Sequence, residues 1–369
     1  MEFYKLITVS NLRKCNIIFN LKDQTFFVGK DIFERTDFYK KGKKEFSTDL
    51  LVHKTNNRQK PKRKENIDEI ECILKDWKQS WIGKDVINTK VTLSIHNLRK
   101  YSVISLMNDT KFSINSYFYI IGNVSFKDLT INFSTFSIDG LINELNKAVK
   151  YIIKCDGNSE ENTIKVNKNN VYNLLLNPFV ASIFFHEFIG HGLEEGYLKK
   201  GNKVGPVGLD IYTINSDNTY VPKLRDTERK QLVVRKGIVL VNNTNILGIN
   251  KSVIKQPKNR LNSLSIGNRY SQDRVPNSYI LCSQIGFAQF YKGNIIIEIK
   301  NGLLIEANNR VGRIENILIQ LNVSEVHKHL SYIYNDFNLV NGICTKYNDT
   351  IPTTNRSPSV LLTNMKLGG

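Results

Sequence analysis

Two histidines stand five residues apart in Ala181-Ser-Ile-Phe-Phe-His186-Glu187-Phe-Ile-Gly190-His191-Gly-Leu-Glu194-Glu195, and a glutamate follows the first. Two imidazoles beside a carboxylate are the parts of a metal-activated water: ring nitrogens hold the ion and the carboxylate takes a proton. In the better-known arrangement the histidines are four apart on one helical face. Five steps of about 100° rotate roughly 140° around an ideal helix, too far to share one ion. A π-type turn widens the helix locally and brings i and i+5 back together. The spacing therefore predicts a widened turn over Glu187 to His191, with Gly190 easing the distortion. The competing reading is three core polar groups satisfied by their neighbours. Burying them in so apolar a segment costs several kcal/mol unless something pairs with them, and a metal is the most economical partner.

An element must carry these groups. Asn177 is a good N-cap and Pro178 suits the first helical position. Lys199 and Lys200 fit a last turn, and Gly201 fits a left-handed stop. A helix of about 23 residues, near 35 Å, is predicted. A catalytic zinc usually takes a third protein ligand and leaves one position open. The residues alone leave Glu194, Glu195, Cys282, His327, His329 and Cys344 as candidates. Cys282 lies in a strand-like run and reads as core. His327 and His329 read as a charged helix face, and Cys344 sits next to a flexible turn.

Around this segment, residues 1 to about 50 read as strand-rich, and a polar linker covers about 54 to 66. Ile67, Ile70, Leu74, Trp77 and Trp81 recur at helical spacing. Alternation from Val91 to Phe136 predicts antiparallel strands, and Leu141, Leu145, Val149 and Ile152 mark a helix over about 138 to 154. Two hairpins are expected later. In one, Gly237–Val241 and Ile246–Ile249 flank Asn242-Asn-Thr-Asn245. In the other, Ile295–Ile299 and Leu303–Glu306 flank Asn301-Gly302. The expected fold is α+β: an N-terminal α/β region, domain 1–165, then a C-terminal, mostly antiparallel β domain, 166–369, carrying one long metal-binding helix.

The chain has 369 residues, 41% hydrophobic, enough for a large core. Its formal net charge is +18, but only Gln59-Lys-Pro-Lys-Arg-Lys64 is a compact basic cluster. Without an arginine- and aromatic-rich signature, nucleic-acid binding is the weaker reading of that charge. Five scattered cysteines argue for a reducing compartment. No apolar run is long and uninterrupted enough to span a membrane, and no secretory signal is evident. A cytoplasmic protein is expected.

The string His186-Glu-Phe-Ile-Gly-His-Gly-Leu-Glu194 resembles the signature of the TldD/PmbA metallopeptidases. The C-terminal stretches Asn341-Gly-Ile-Cys-Thr-Lys-Tyr-Asn-Asp-Thr-Ile-Pro352 and Pro358 to Gly368 resemble that family's closing segment. Gly267-Asn-Arg269 and Arg274-Val-Pro-Asn277 fall where the family has a glycine-arginine loop and a proline-arginine segment, the latter imperfectly matched. The likeness covers residues 110 to 369, and the region before it is shorter than in typical members. It implies one zinc per chain on His186, His191 and Cys344, with Glu187 as general base. Glu194, Arg269 and Arg274 become candidates for supporting the site or touching substrate. It also implies hydrolysis of unstructured peptides, including ribosomally made precursors, by a homodimer or a heterodimer with a relative. The N-terminal domain would serve peptide or dimer contacts. The family includes partner subunits that lack the motif, whereas this chain retains it. The alternatives are a non-catalytic, zinc-containing peptide-binding subunit and, further off, a basic nucleic-acid-binding protein.

Overall fold

A computed structural model describes residues 5–20, 26–40, 43–55, 67–79, 89–106, 109–126, 129–135, 137–155, 163–167, 170–215, 229–242, 261, 263–268, 275–307, 309–346 and 349–367. It consists mostly of sheet with few helices. The chain divides into two compact units, one of 1–127, 133–149 and 251–258 and the other of 128–132, 150–250 and 259–369.

The first sheet uses β1 (Lys5–Asn20), β2 (Phe26–Lys40), β3 (Lys43–Thr55), β4 (Lys90–Leu106), β5 (Asp109–Phe126) and β6 (Leu129–Thr135), in the order β3-β2-β1-β4-β5-β6. The pairings among β1 to β5 are antiparallel. An α/β arrangement would need parallel ones, so this region is α+β. Helix α1 (Ile67–Gln79) buries Ile70, Leu74 and Trp77, and α2 (Asp139–Cys155) buries Leu141, Leu145, Val149 and Ile152. These are the stripes expected from 3.6-residue periodicity. Trp77 Nε1 donates to Asn146 Oδ1 at 2.9 Å, satisfying the indole of a buried ring. Trp81 and most of the polar linker lie outside the described residues.

The second unit carries two six-stranded sheets. One has the order β14-β13-β12-β7-β18-β15, with β7 (Val171–Leu176), β12 (Ser278–Tyr291), β13 (Asn294–Glu306), β14 (Asn309–Asn322), β15 (Leu330–Ile333) and β18 (Val360–Lys366). The other has the order β10-β9-β8-β11-β17-β16, with β8 (Leu209–Asn215), β9 (Arg229–Arg235), β10 (Ile238–Val239), β11 (Ser263–Asn268), β16 (Asn338–Lys346) and β17 (Asp349–Ser357). Each contains one parallel pair, β7 with β12 and β11 with β17. Helix α3 (Pro178–Phe185) packs against β7 and β12 of one sheet and β16 and β17 of the other. Its sequence, Pro-Phe-Val-Ala-Ser-Ile-Phe-Phe, has almost no polar face, as a helix covered on all sides requires.

One expected hairpin is absent. Asn301-Gly302 lies inside β13 rather than at a turn. A Cβ at Gly302 would lie 2.5 Å from Ile280 Cγ2 and 2.7 Å from Ile317 Cδ1. The glycine lets neighbouring strands pack closely, while Asn301 Nδ2 donates to Gln284 Oε1 at 2.8 Å beside a β-bulge. The turn between β12 and β13 is Lys292-Gly293, with φ 47° and 78°. Positive φ at both central residues matches the twist of a tight hairpin. Lys236-Gly237 repeats this between β9 and β10, with φ 51° and 72°. The second half of the other expected hairpin, Ile246–Ile249, lies outside the described residues.

Candidate metal centre

Asn177 caps α3 as its residue type predicts, its Oδ1 accepting from Val180 N at 3.0 Å. The α-helix then gives way to a π turn over His186–His191 and resumes as α4 (Gly192–Glu194). Segments of eight, six and three residues make a run of 17. This is shorter than the expected 23, because the stop comes at Gly196 rather than Gly201. Gly196 takes φ 77°, and its N–H reaches back to Leu193 O at 3.1 Å.

The π turn brings the imidazoles of His186 and His191 face to edge, ring centres 4.8 Å apart and planes at 77°. Cys344 arrives from β16, its Sγ 3.4 Å from His191 Nε2. One donor atom from each of His186, His191 and Cys344 lies within 4.8 Å of the others. Tetrahedral zinc with the usual bond lengths would set an N···S edge of roughly 3.6 Å. Two borderline imidazoles and a soft thiolate suit zinc better than a hard cation. The residues fit the ion. This is the sole such group of three among the described residues.

Glu187 is buried, and its Oε2 lies 3.8 Å from His191 Nε2. The other nitrogen of His191, Nδ1, lies 2.7 Å from Glu194 Oε2. Leu261 N donates to Glu194 Oε1 at 2.6 Å. Burial disfavours a charged His191. Hydrogen bonds with Cys344 and Glu194, and the charges of Glu194 and Glu187, outweigh it and hold the imidazole pKa up at about 9 in the metal-free protein. Phe290 of β12 stacks obliquely near His191, ring centres 6.2 Å apart.

The other third-donor candidates do not join this cluster. Cys282 is fully buried, and burial pushes its thiol pKa far up, as for an inert core cysteine. His327 and His329 lie in α5 (Val326–His329), where His329 Nδ1 contacts Thr363 O. Glu195 sits in the turn after α4. Arg269 and Arg274 lie outside the described residues. Sequence reasoning missed two neighbours, Phe290 and the Leu261 N–H, and no local signal marks either.

No family model matches the chain. A zinc metalloprotease TldD homolog from Saccharolobus solfataricus is 22% identical over 235 residues, spanning 54% of this chain and 52% of that protein. The chain thus spans about half the length of this relative. Three solved structures share the fold. TldE from Thermococcus kodakarensis is 14% identical, with a TM-score of 0.54 over 100% of this chain and 97% of that one. A proposed modulator of DNA gyrase from Bacteroides thetaiotaomicron is 12% identical, with a TM-score of 0.55 over 99% and 94%. A second proposed gyrase modulator, from Thermotoga maritima, is 12% identical, with a TM-score of 0.55 over 99% and 96%. Sequence and fold thus both point to the TldD/TldE/PmbA proteins, whose fold this chain shares.

Proposed function

We propose that this chain is a cytoplasmic zinc-dependent peptidase that hydrolyses peptide bonds in unstructured peptides, ribosomally made precursors among them. It would work as a dimer, with itself or with a TldD/TldE relative. The observation that carries the reading is the meeting of His186, His191 and Cys344 within 4.8 Å, with the Glu187 carboxylate 3.8 Å from one of the donor nitrogens. His186, His191 and Cys344 would hold one zinc ion. When bound, zinc supplies Lewis acidity that lowers the pKa of water and polarises a scissile carbonyl. Glu187 Oε2 is the proton carrier: it takes the proton of the attacking water and returns it to the leaving amine nitrogen. Both imidazoles are buried, which strengthens electrostatics around them.

A closed structural zinc site would use four protein ligands. The buried Glu187 carboxylate beside the three donors supports the catalytic reading over a non-catalytic peptide-binding subunit. The test is Glu187→Gln, measured for zinc content and for hydrolysis of an unstructured peptide. Zinc is expected to stay and hydrolysis to disappear. Full activity in that variant sinks the assignment.

A further inference from the structure

Glu194 is three residues past His191, on the next turn of the same helical run, and its side chain is only 1% exposed. A carboxylate that deep is costly unless both oxygens are satisfied. They are: Oε2 meets His191 Nδ1 at 2.7 Å, and Oε1 accepts from Leu261 N at 2.6 Å. Leu261, itself buried, lies 67 residues away in sequence, just before β11. An ionised carboxylate only accepts, so Nδ1 must be the nitrogen that donates to it. When His191 carries a single ring proton, as a metal ligand must, the Nε2 lone pair is left directed at the side where Cys344 Sγ stands, 3.4 Å away.

We infer that Glu194 is a positioning residue that fixes the tautomer and ring angle of His191, anchoring the histidine to the main chain at Leu261. The inference rests on the zinc reading above and deepens it. Two contacts set its specificity. A carboxylate offers an acceptor to both N–H groups, whereas a carboxamide of the same shape has one oxygen and one NH2 and can satisfy only one of them. Glu194→Gln therefore either loses the Leu261 bond or turns the histidine to its other tautomer. Glu195, next in sequence and in the turn after α4, is the comparison residue.

The experiment is a zinc competition titration against a chromophoric chelator. It compares wild type, Glu194→Gln and Glu195→Gln, with circular dichroism of each metal-free protein. Glu194→Gln is expected to weaken zinc binding roughly 10- to 100-fold and to shift the visible absorption of the cobalt-substituted protein. Glu195→Gln should match wild type. Zinc affinity in folded Glu194→Gln equal to wild type overturns the inference. A second measurement needs no variant: nitrogen-15 NMR of histidine-labelled wild type should find a slowly exchanging proton on His191 Nδ1. A bare Nδ1 overturns the inference even if Glu194→Gln does not fold. Wild type that binds no zinc defeats the peptidase reading instead, and the Nδ1 proton then still tests the contact with Glu194 by itself.

Discussion

At the scale of single residues, two cysteines of the same unit have opposite surroundings, Cys344 partly exposed and Cys282 buried. Cys344 Sγ lies 3.4 Å from an imidazole, whereas Cys282 Sγ lies 3.7 Å from the backbone oxygen of Ile280 in an apolar core. A thiol beside two imidazoles has partners with which to hold a cation, whereas one held among aliphatic groups stays protonated. Removing Cys344 with Cys344→Ala should therefore lower the zinc content of the purified protein to background. Cys282→Ala should keep it and instead lose packing stability. Metal analysis of the two variants side by side checks this, and unchanged zinc in Cys344→Ala removes the thiolate from the ligand set. The histidine pair and its glutamate were legible as residue types at a spacing. The choice among six third-donor candidates was not, because ligand atoms 153 residues apart in sequence leave no local pattern.

At the scale of elements, two glycines change roles between sequence and structure. Gly190 reads from the sequence as relieving the π turn, yet a Cβ there would sit in ordinary contact, 3.7 Å from His186 Nδ1 and 4.0 Å from Leu261 Cβ. Gly190→Ala should therefore leave stability unchanged or raise it by up to about 1 kcal/mol, since alanine restricts the unfolded chain more and favours helix. Gly302 reads as a turn residue but lies mid-strand, where a methyl group meets Ile280 and Ile317. Gly302→Ala should cost about 1–3 kcal/mol by overpacking. Urea midpoints of both variants test the pair, and a destabilised Gly190→Ala would mean that the π turn does need the glycine. The N-cap and the widened turn were readable because both are local: one is a side chain on its own helix end, the other a helical phase. The helix end is not legible in the sequence because Gly196 and Gly201 both take positive φ, and only the bond to Leu193 O shows which one stops the run.

At the scale of the whole molecule, His186 and His191 come from the helical run between two sheets, and Cys344 comes from a strand at the edge of one of them. An ion held by all three ties these parts together and binds the unfolded chain far less well. At a hundredfold excess of free zinc over its dissociation constant, linkage predicts about 2.7 kcal/mol of added stability. Calorimetry of chelator-stripped protein should show Tm rising on zinc addition, and the rise should vanish in Cys344→Ala. A Tm indifferent to zinc in wild type would mean that the donors do not act together. The net charge of +18 belongs to this scale as well. Read as dispersed surface charge, it predicts that any retention on generic DNA falls away by physiological salt. Retention that persists there would revive the nucleic-acid reading.

The sequence by itself determined what depends on neighbours along the chain: the capped apolar helix, its π turn, the amphipathic stripes of α1 and α2, and the alternating strands. Tertiary structure alone decided what depends on distant contacts. It set Gly302 inside a strand because Ile280 and Ile317 close around it. It brought Cys344 to His191, and it seated Glu194 between an imidazole and the Leu261 amide. Local conformation follows from backbone sterics and periodicity over a few residues. The meeting of donors is fixed by how two sheets pack on one buried helix, and no short stretch of sequence encodes that.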